Sequence, residues 1–138
     1  MKRLLLVLAA CDHRSVTSCA DDIHGVYVTP HAERWMLLDN GLTLEAYPMF
    51  DDSHGPPEVV TAPRYIVIVR DHTRLAGTLQ RRTMRRADAC VAKAPFYVAA
   101  CTADGIDVVY ADVAPPVSFE PCAFAPLQPS RAEHWRRE

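Results

Sequence analysis

Asp51 and Asp52 followed by His54 form the densest grouping of potential acid–base or metal-binding side chains, and Asp21, Asp22 and His24 form a second. Two carboxylates beside an imidazole can hold a divalent cation or poise a proton transfer. Both groups fall in polar stretches, and the first runs into Gly55-Pro56-Pro57, a loop by composition. Polar loops carry such residues as solvated side chains, so no catalytic residue and no metal ligand is assigned to either. The chain also lacks G-x-S-x-G, the P-loop, G-x-G-x-x-G after a strand, and H-E-x-x-H. No cofactor is expected.

Charge is most concentrated at Arg81, Arg82, Arg85 and Arg86. Guanidinium forks grip carboxylate and phosphate, which makes these four the candidate contacts to an acidic partner protein or to anionic lipid headgroups. The plain alternative is a solvated face balanced by nearby acids. Trp135 is a candidate interface anchor, whereas Trp35, inside an apolar run, reads as core. A formal net charge of −2 over 138 residues leaves no basic excess for nucleic acid. Hydrophobic residues make up 49% of the chain, which implies a folded core, and the length allows one domain.

The first residues are Met1-Lys2-Arg3, then Leu4 to Ala10, then Cys11. A charged start, a short apolar run and small residues before a cysteine follow the layout of an export signal. Leu8-Ala9-Ala10-Cys11 resembles the lipobox of bacterial lipoproteins. The resemblance covers only this segment, and the family of the remainder is not recognised. It implies that residues 1–10 are a signal peptide and that Cys11 becomes the lipidated first residue, carrying diacylglyceryl and a further acyl chain such as palmitate. Residues 11–24 would then be the lipidated amino terminus and tether, with one β-rich domain over 25–138. Two or more acyl chains hold a protein firmly at a bilayer. Asp12 resembles an inner-membrane retention signal, which favours the inner over the outer membrane. The other reading of Arg3 to Ala10 is a buried first strand in a cytosolic protein.

Four cysteines remain after Cys11: Cys19, Cys90, Cys101 and Cys122. An even number in a small exported domain reads as two disulfides, with three connectivities open. Cys90 and Cys101 are close enough in sequence for a local bridge, which would leave Cys19 and Cys122 to tie the ends together. No C-x2-C pair suggests zinc.

These residues have to be positioned by short segments punctuated with turns. Gly25 to Thr29 reads as a strand, and Asp39-Asn40-Gly41 marks a hairpin between segments 33–38 and 42–47. A helix from His31 to Leu38 is its rival. Tyr65 to Val69, β-branched and apolar on both faces, reads as a central buried strand. Residues 78–92 place Leu79, Met84, Ala87 and Val91 on one helical face, although a strand fits almost equally. Asp104-Gly105 marks a second hairpin between 96–103 and 106–113. Ser130 with Glu133 is a capping-box pattern that predicts a short carboxy-terminal helix over 131–138. The expected fold is mainly β or α+β: a small antiparallel sandwich or partly closed barrel, with one helix around 78–92 as the variable element.

Nothing in the sequence is a catalytic signature. The expected role is a membrane-anchored binding, assembly or inhibitor/immunity protein facing the periplasm, with a protein partner in the envelope. The alternative is a periplasmic enzyme whose site is assembled from separated residues.

Overall fold

Strict alternation along residues 89–99 sets the architecture. Cys90, Ala92, Ala94, Phe96 and Val98 are buried, and Ala89, Val91, Lys93, Pro95 and Tyr97 between them are exposed. Period-two burial of this kind is a strand with one face on a core. The computed structural model describes residues 19, 23–49, 58–71 and 74–138; Cys11, Asp12, Asp21, Asp22, Asp51, Asp52 and His54 lie outside them.

Among the described residues every regular element is a strand: β1 (Gly25–Val28), β2 (Arg34–Asp39), β3 (Thr43–Pro48), β4 (Val59–Thr61), β5 (Tyr65–Asp71), β6 (Arg74–Arg85), β7 (Asp88–Thr102), β8 (Gly105–Tyr110), β9 (Ser118–Phe119), β10 (Cys122–Ala123) and β11 (Arg131–Arg137). The antiparallel order β6-β5-β3-β2-β1-β11-β8-β7 closes on itself through β6–β7, giving an eight-stranded barrel. β4 adds to the outer part of β6, and β9 and β10 form a separate two-stranded ribbon. The mainly β, barrel-like expectation therefore holds, with the barrel fully closed.

Two expected helices are strands. Residues 78–92 span β6, a turn at Arg86-Ala87, and the start of β7, in register from Leu75↔Val98 to Arg85↔Asp88. Helical and strand periodicities overlap over so few apolar positions, and the turn lacks a glycine or asparagine marker: Arg86 itself takes the left-handed φ of 56°. Residues 131–137 form β11, bonded to β8 on one side and β1 on the other. A single capping box contributes about 1 kcal/mol, less than two ladders of hydrogen bonds and the burial of Trp135. β5 also differs from a fully buried strand, because only Ile66 and Ile68 face inward and Val69 is exposed.

An eight-stranded barrel is narrow enough for side chains to fill it. Leu44, Ile66, Ile68, Leu79, Phe96 and Val108 do so, together with a ring cluster centred on Trp135. Gly77 faces inward opposite Phe96. A Cβ there would lie 1.8 Å from the Val67 carbonyl oxygen, so a glycine lets β5 and β6 approach where the wall bends.

Two disulfides brace the barrel. Cys19 bonds Cys101, and Cys90 bonds Cys122, with Cα–Cα distances of 5.4 and 5.7 Å. The local Cys90–Cys101 pairing is ruled out by geometry: both lie on β7, and eleven residues of strand separate them by about 36 Å. Cys19 enters at the end that carries the β2–β3 and β7–β8 turns. The β1–β2 loop, the β6–β7 turn and the ribbon lie at the opposite end, called here the hairpin end.

Candidate functional site

β6 pairs with β5 only as far as Gln80, and β7 pairs with β8 only from Phe96 onward. Residues 81–92 of the hairpin therefore run past the β5–β6 part of the barrel wall. Five residues of β6 extend about 17 Å at strand rise. All four arginines singled out from the sequence lie on this overhang. Arg82 is exposed on the outer face opposite Val91, Arg81 has the inward parity shared by Thr83 and Cys90, and Arg85 and Arg86 stand at the tip. β4 supports one edge through Val59↔Arg85, Val60↔Met84 and Thr61↔Thr83. The Cys90–Cys122 disulfide ties the ribbon to the inner face.

Between tip and ribbon is a cleft of about 420 Å³ lined by Arg85, Arg86, Asp88, Val117, Ser118, Phe119 and Glu120. The Arg85 guanidinium sits 6.0 Å from the centre of the Phe119 ring, within cation–π range. A hydrogen bond to Asp88, reinforced by the charge of that carboxylate, holds the Glu120 carboxyl above its usual range. The cleft thus offers two guanidinium groups beside a carboxyl pair, a surface that discriminates by charge pattern.

The base of the overhang is fastened by a polar network at the barrel mouth. Arg64, buried in the β4–β5 connection, reaches Glu33 Oε1 at 2.7 Å and Asp112 Oδ1 at 3.2 Å. Its guanidinium carbon lies 5.5 Å from the centre of the Trp35 ring. Arg131 pairs with Glu133 at 2.9 Å and donates to the Tyr110 hydroxyl at 2.8 Å, while that hydroxyl donates to Glu133 at 2.9 Å. Each carboxylate here is matched to an arginine, so the network joins the β1–β2 loop, the β4–β5 connection and the chain after β8. Sequence reasoning missed it because its members are dozens of residues apart and become neighbours only when the barrel closes.

Burial is the main cause that pushes the Tyr110 hydroxyl up to about 12, with Glu133 adding to the shift and Arg131 opposing it. An exposed phenol titrates near about 10, so the native chain keeps a proton that the unfolded chain releases. The associated stabilisation is complete below pH 10 and is lost as pH rises through 12. Tyr110→Phe should abolish a fall of about 2 kcal/mol across this window, read as the difference between wild-type and variant denaturation curves at pH 9 and pH 12. Parallel pH dependences of the two proteins would contradict it.

The remaining candidates are placed as follows. His24 is exposed ahead of β1, and its carbonyl accepts from Arg137. Trp35 is core, as expected, whereas Trp135 is buried core and not an exposed anchor. No group of three or more His, Cys, Asp or Glu among the described residues is placed to hold a metal, and no described helix is long and apolar enough to cross a membrane. Comparison with protein-family models, curated proteins and solved structures gives no match.

Proposed function

We propose that this chain is a lipid-anchored binding or assembly protein of the bacterial envelope, tethered through Cys11, that presents its overhanging hairpin to an acidic protein partner facing the periplasm. The observation that carries this reading is the gathering of Arg81, Arg82, Arg85 and Arg86 on one disulfide-braced projection, at the end opposite Cys19. The two disulfides suit an oxidising compartment. The charged cleft, braced on both edges, gives a preorganised surface, which lowers the ordering cost of association.

Two measurements test it. Intact mass of the membrane fraction should show residues 1–10 removed and lipid on Cys11, and Cys11→Ser should release the protein. Cross-linked pull-down should then recover a partner that Arg82→Glu/Arg86→Glu loses. Both residues are exposed, so the fold should be unchanged. Reversal of two contact charges should weaken binding by about 10- to 100-fold, with a comparable loss as salt is raised. Equal binding by the reversed variant, or a soluble chain with an unmodified Cys11, would overturn the respective half of the proposal.

A further inference from the structure

The β2–β3 turn exposes a leucine while pairing its own backbone N–H groups. Leu42 is 81% exposed at the tip. Around it every backbone N–H from Asn40 to Thr43 is bonded within the turn: Asn40 to the Thr43 carbonyl at 3.1 Å, Gly41 to Asp39 Oδ1 at 2.8 Å, and Leu42 and Thr43 to Asn40 Oδ1 at 3.1 and 2.8 Å. The Leu42 carbonyl accepts from the Arg70 amide at 3.0 Å. Arg70 also binds the Asp39 carboxylate, so the one charge in the turn is paired. Pairing of these amides lowers the desolvation cost of moving the tip out of water, because unpaired backbone groups make that transfer unfavourable.

One cross-strand row of the adjoining wall is apolar as well. Thr43, next to Leu42, pairs with Val69, which is 58% exposed, and the same row continues through Ala76 to the exposed ring of Tyr97. A leucine tip flanked by valine, with a tyrosine further back, matches the side chains that enter the headgroup–acyl boundary and those that lie at its edge.

The chain reaches this end of the barrel from the amino terminus. Cys19 is locked to Cys101, and its carbonyl accepts from Arg70 at 2.8 Å, the same arginine that holds the turn. Only seven residues separate Cys11 from Cys19. Fully extended, that connection spans at most about 28 Å.

We infer that the Cys19 end of the barrel docks on the bilayer that holds Cys11, with Leu42 inserted and Val69 and Tyr97 at the interface. This rests on the lipid-anchor reading. It orients the molecule, so that the arginine-bearing hairpin points away from the membrane towards its partner.

The test uses the lipidated full chain in nanodiscs of phosphatidylethanolamine and phosphatidylglycerol doped with a gadolinium-chelate lipid. Methyl signals of Leu42 and Val69 should broaden at least fivefold more than those of Val60 and Val117, which lie at the hairpin end with exposures of 65% and 71%. Leu42→Asp, at a position with no packing to lose, should reduce the broadening at Val69 severalfold; Leu42→Ser should do so more weakly. Equal broadening at both ends, or a pattern unchanged by Leu42→Asp, overturns the docking while leaving the anchor standing. A Cys11 that carries no lipid overturns the anchor and the docking together, and is seen by mass before any nanodisc is made. A particle in detergent with twice the monomer mass, halved by Leu42→Asp, would assign the tip to a second copy of the chain and also overturn the docking.

Discussion

Replacing Cys19 and Cys101 together by serine should destabilise the protein by about 4–5 kcal/mol, more than the corresponding change at Cys90 and Cys122, at about 3.5 kcal/mol. The difference follows from loop size. The first bridge closes 82 residues of chain and the second 32, and the unfolded-state entropy removed by a cross-link grows with the logarithm of that length. A loss of this size is a third or more of the roughly 5–15 kcal/mol that holds a typical domain folded. The two variants should also differ in kind. The Cys19–Cys101 bridge ties the entering chain to the barrel wall, where Ile23 is buried and accepts a hydrogen bond from Tyr27 at 2.7 Å. Its loss lowers global stability. The Cys90–Cys122 bridge holds the ribbon against the hairpin overhang, so its loss should also open the cleft and, on the proposed function, weaken binding of the acidic partner in a barrel that is still folded. Urea denaturation of the two double-serine variants checks the order, and a smaller loss for the 82-residue loop would refute the entropic account.

The hairpins were legible wherever the chain used turn residues whose backbone preferences are strong. Asp39-Asn40-Gly41 and Asp104-Gly105 each join two strands, and Gly41 sits at a φ of 90° that other residues avoid. The β6–β7 turn was illegible for the complementary reason. It forces Arg86, a residue with no preference for it, into the left-handed region, at a cost of about 1–2 kcal/mol. Cross-strand packing over eleven register pairs outweighs that cost, and such pairing has no local signature. β11 is the same case at the carboxy terminus: residues that favour a helix in isolation are recruited as the strand between β8 and β1.

The arginines were legible as a concentration of charge, but their arrangement was not. Helical spacing would have placed them on one side of a cylinder. On β6 the parity of Arg81 and Arg85 separates them from outward Arg82, so Arg85 and Arg86 face the cleft beside the ribbon while Arg82 is exposed on the outer face. Asp88 comes from the hairpin itself, opposite Arg85, whereas Phe119 and Glu120 arrive from across a disulfide that sequence separation alone could not pair. The same holds for Arg64 with Glu33 and Asp112, whose contact is set by the β4–β5 connection.

Trp135→Ala should cost about 3–5 kcal/mol, and Trp135→Phe about 1–2 kcal/mol. Its ring centre lies 5.5 Å from that of Trp35, 5.6 Å from Phe96 and 5.9 Å from Tyr110, so one side chain connects rings from β2, β7 and β8. Its indole N–H donates at 2.9 Å to Glu133 Oε2, the same oxygen that accepts from the Tyr110 hydroxyl. Alanine therefore opens a cavity in the buried ring cluster and removes a donor from a carboxylate that is 7% exposed. Phenylalanine keeps the ring contacts and loses only the donor and part of the volume, which accounts for the smaller effect. Near-UV circular dichroism should collapse for the alanine variant and persist for phenylalanine, with stability read from urea denaturation. Binding of the proposed partner provides the control. A tryptophan anchoring an interface would, when truncated, abolish association at little cost to stability. A core tryptophan truncated to phenylalanine lowers stability and leaves the affinity of the folded fraction unchanged, and the burial of Trp135 requires this second outcome.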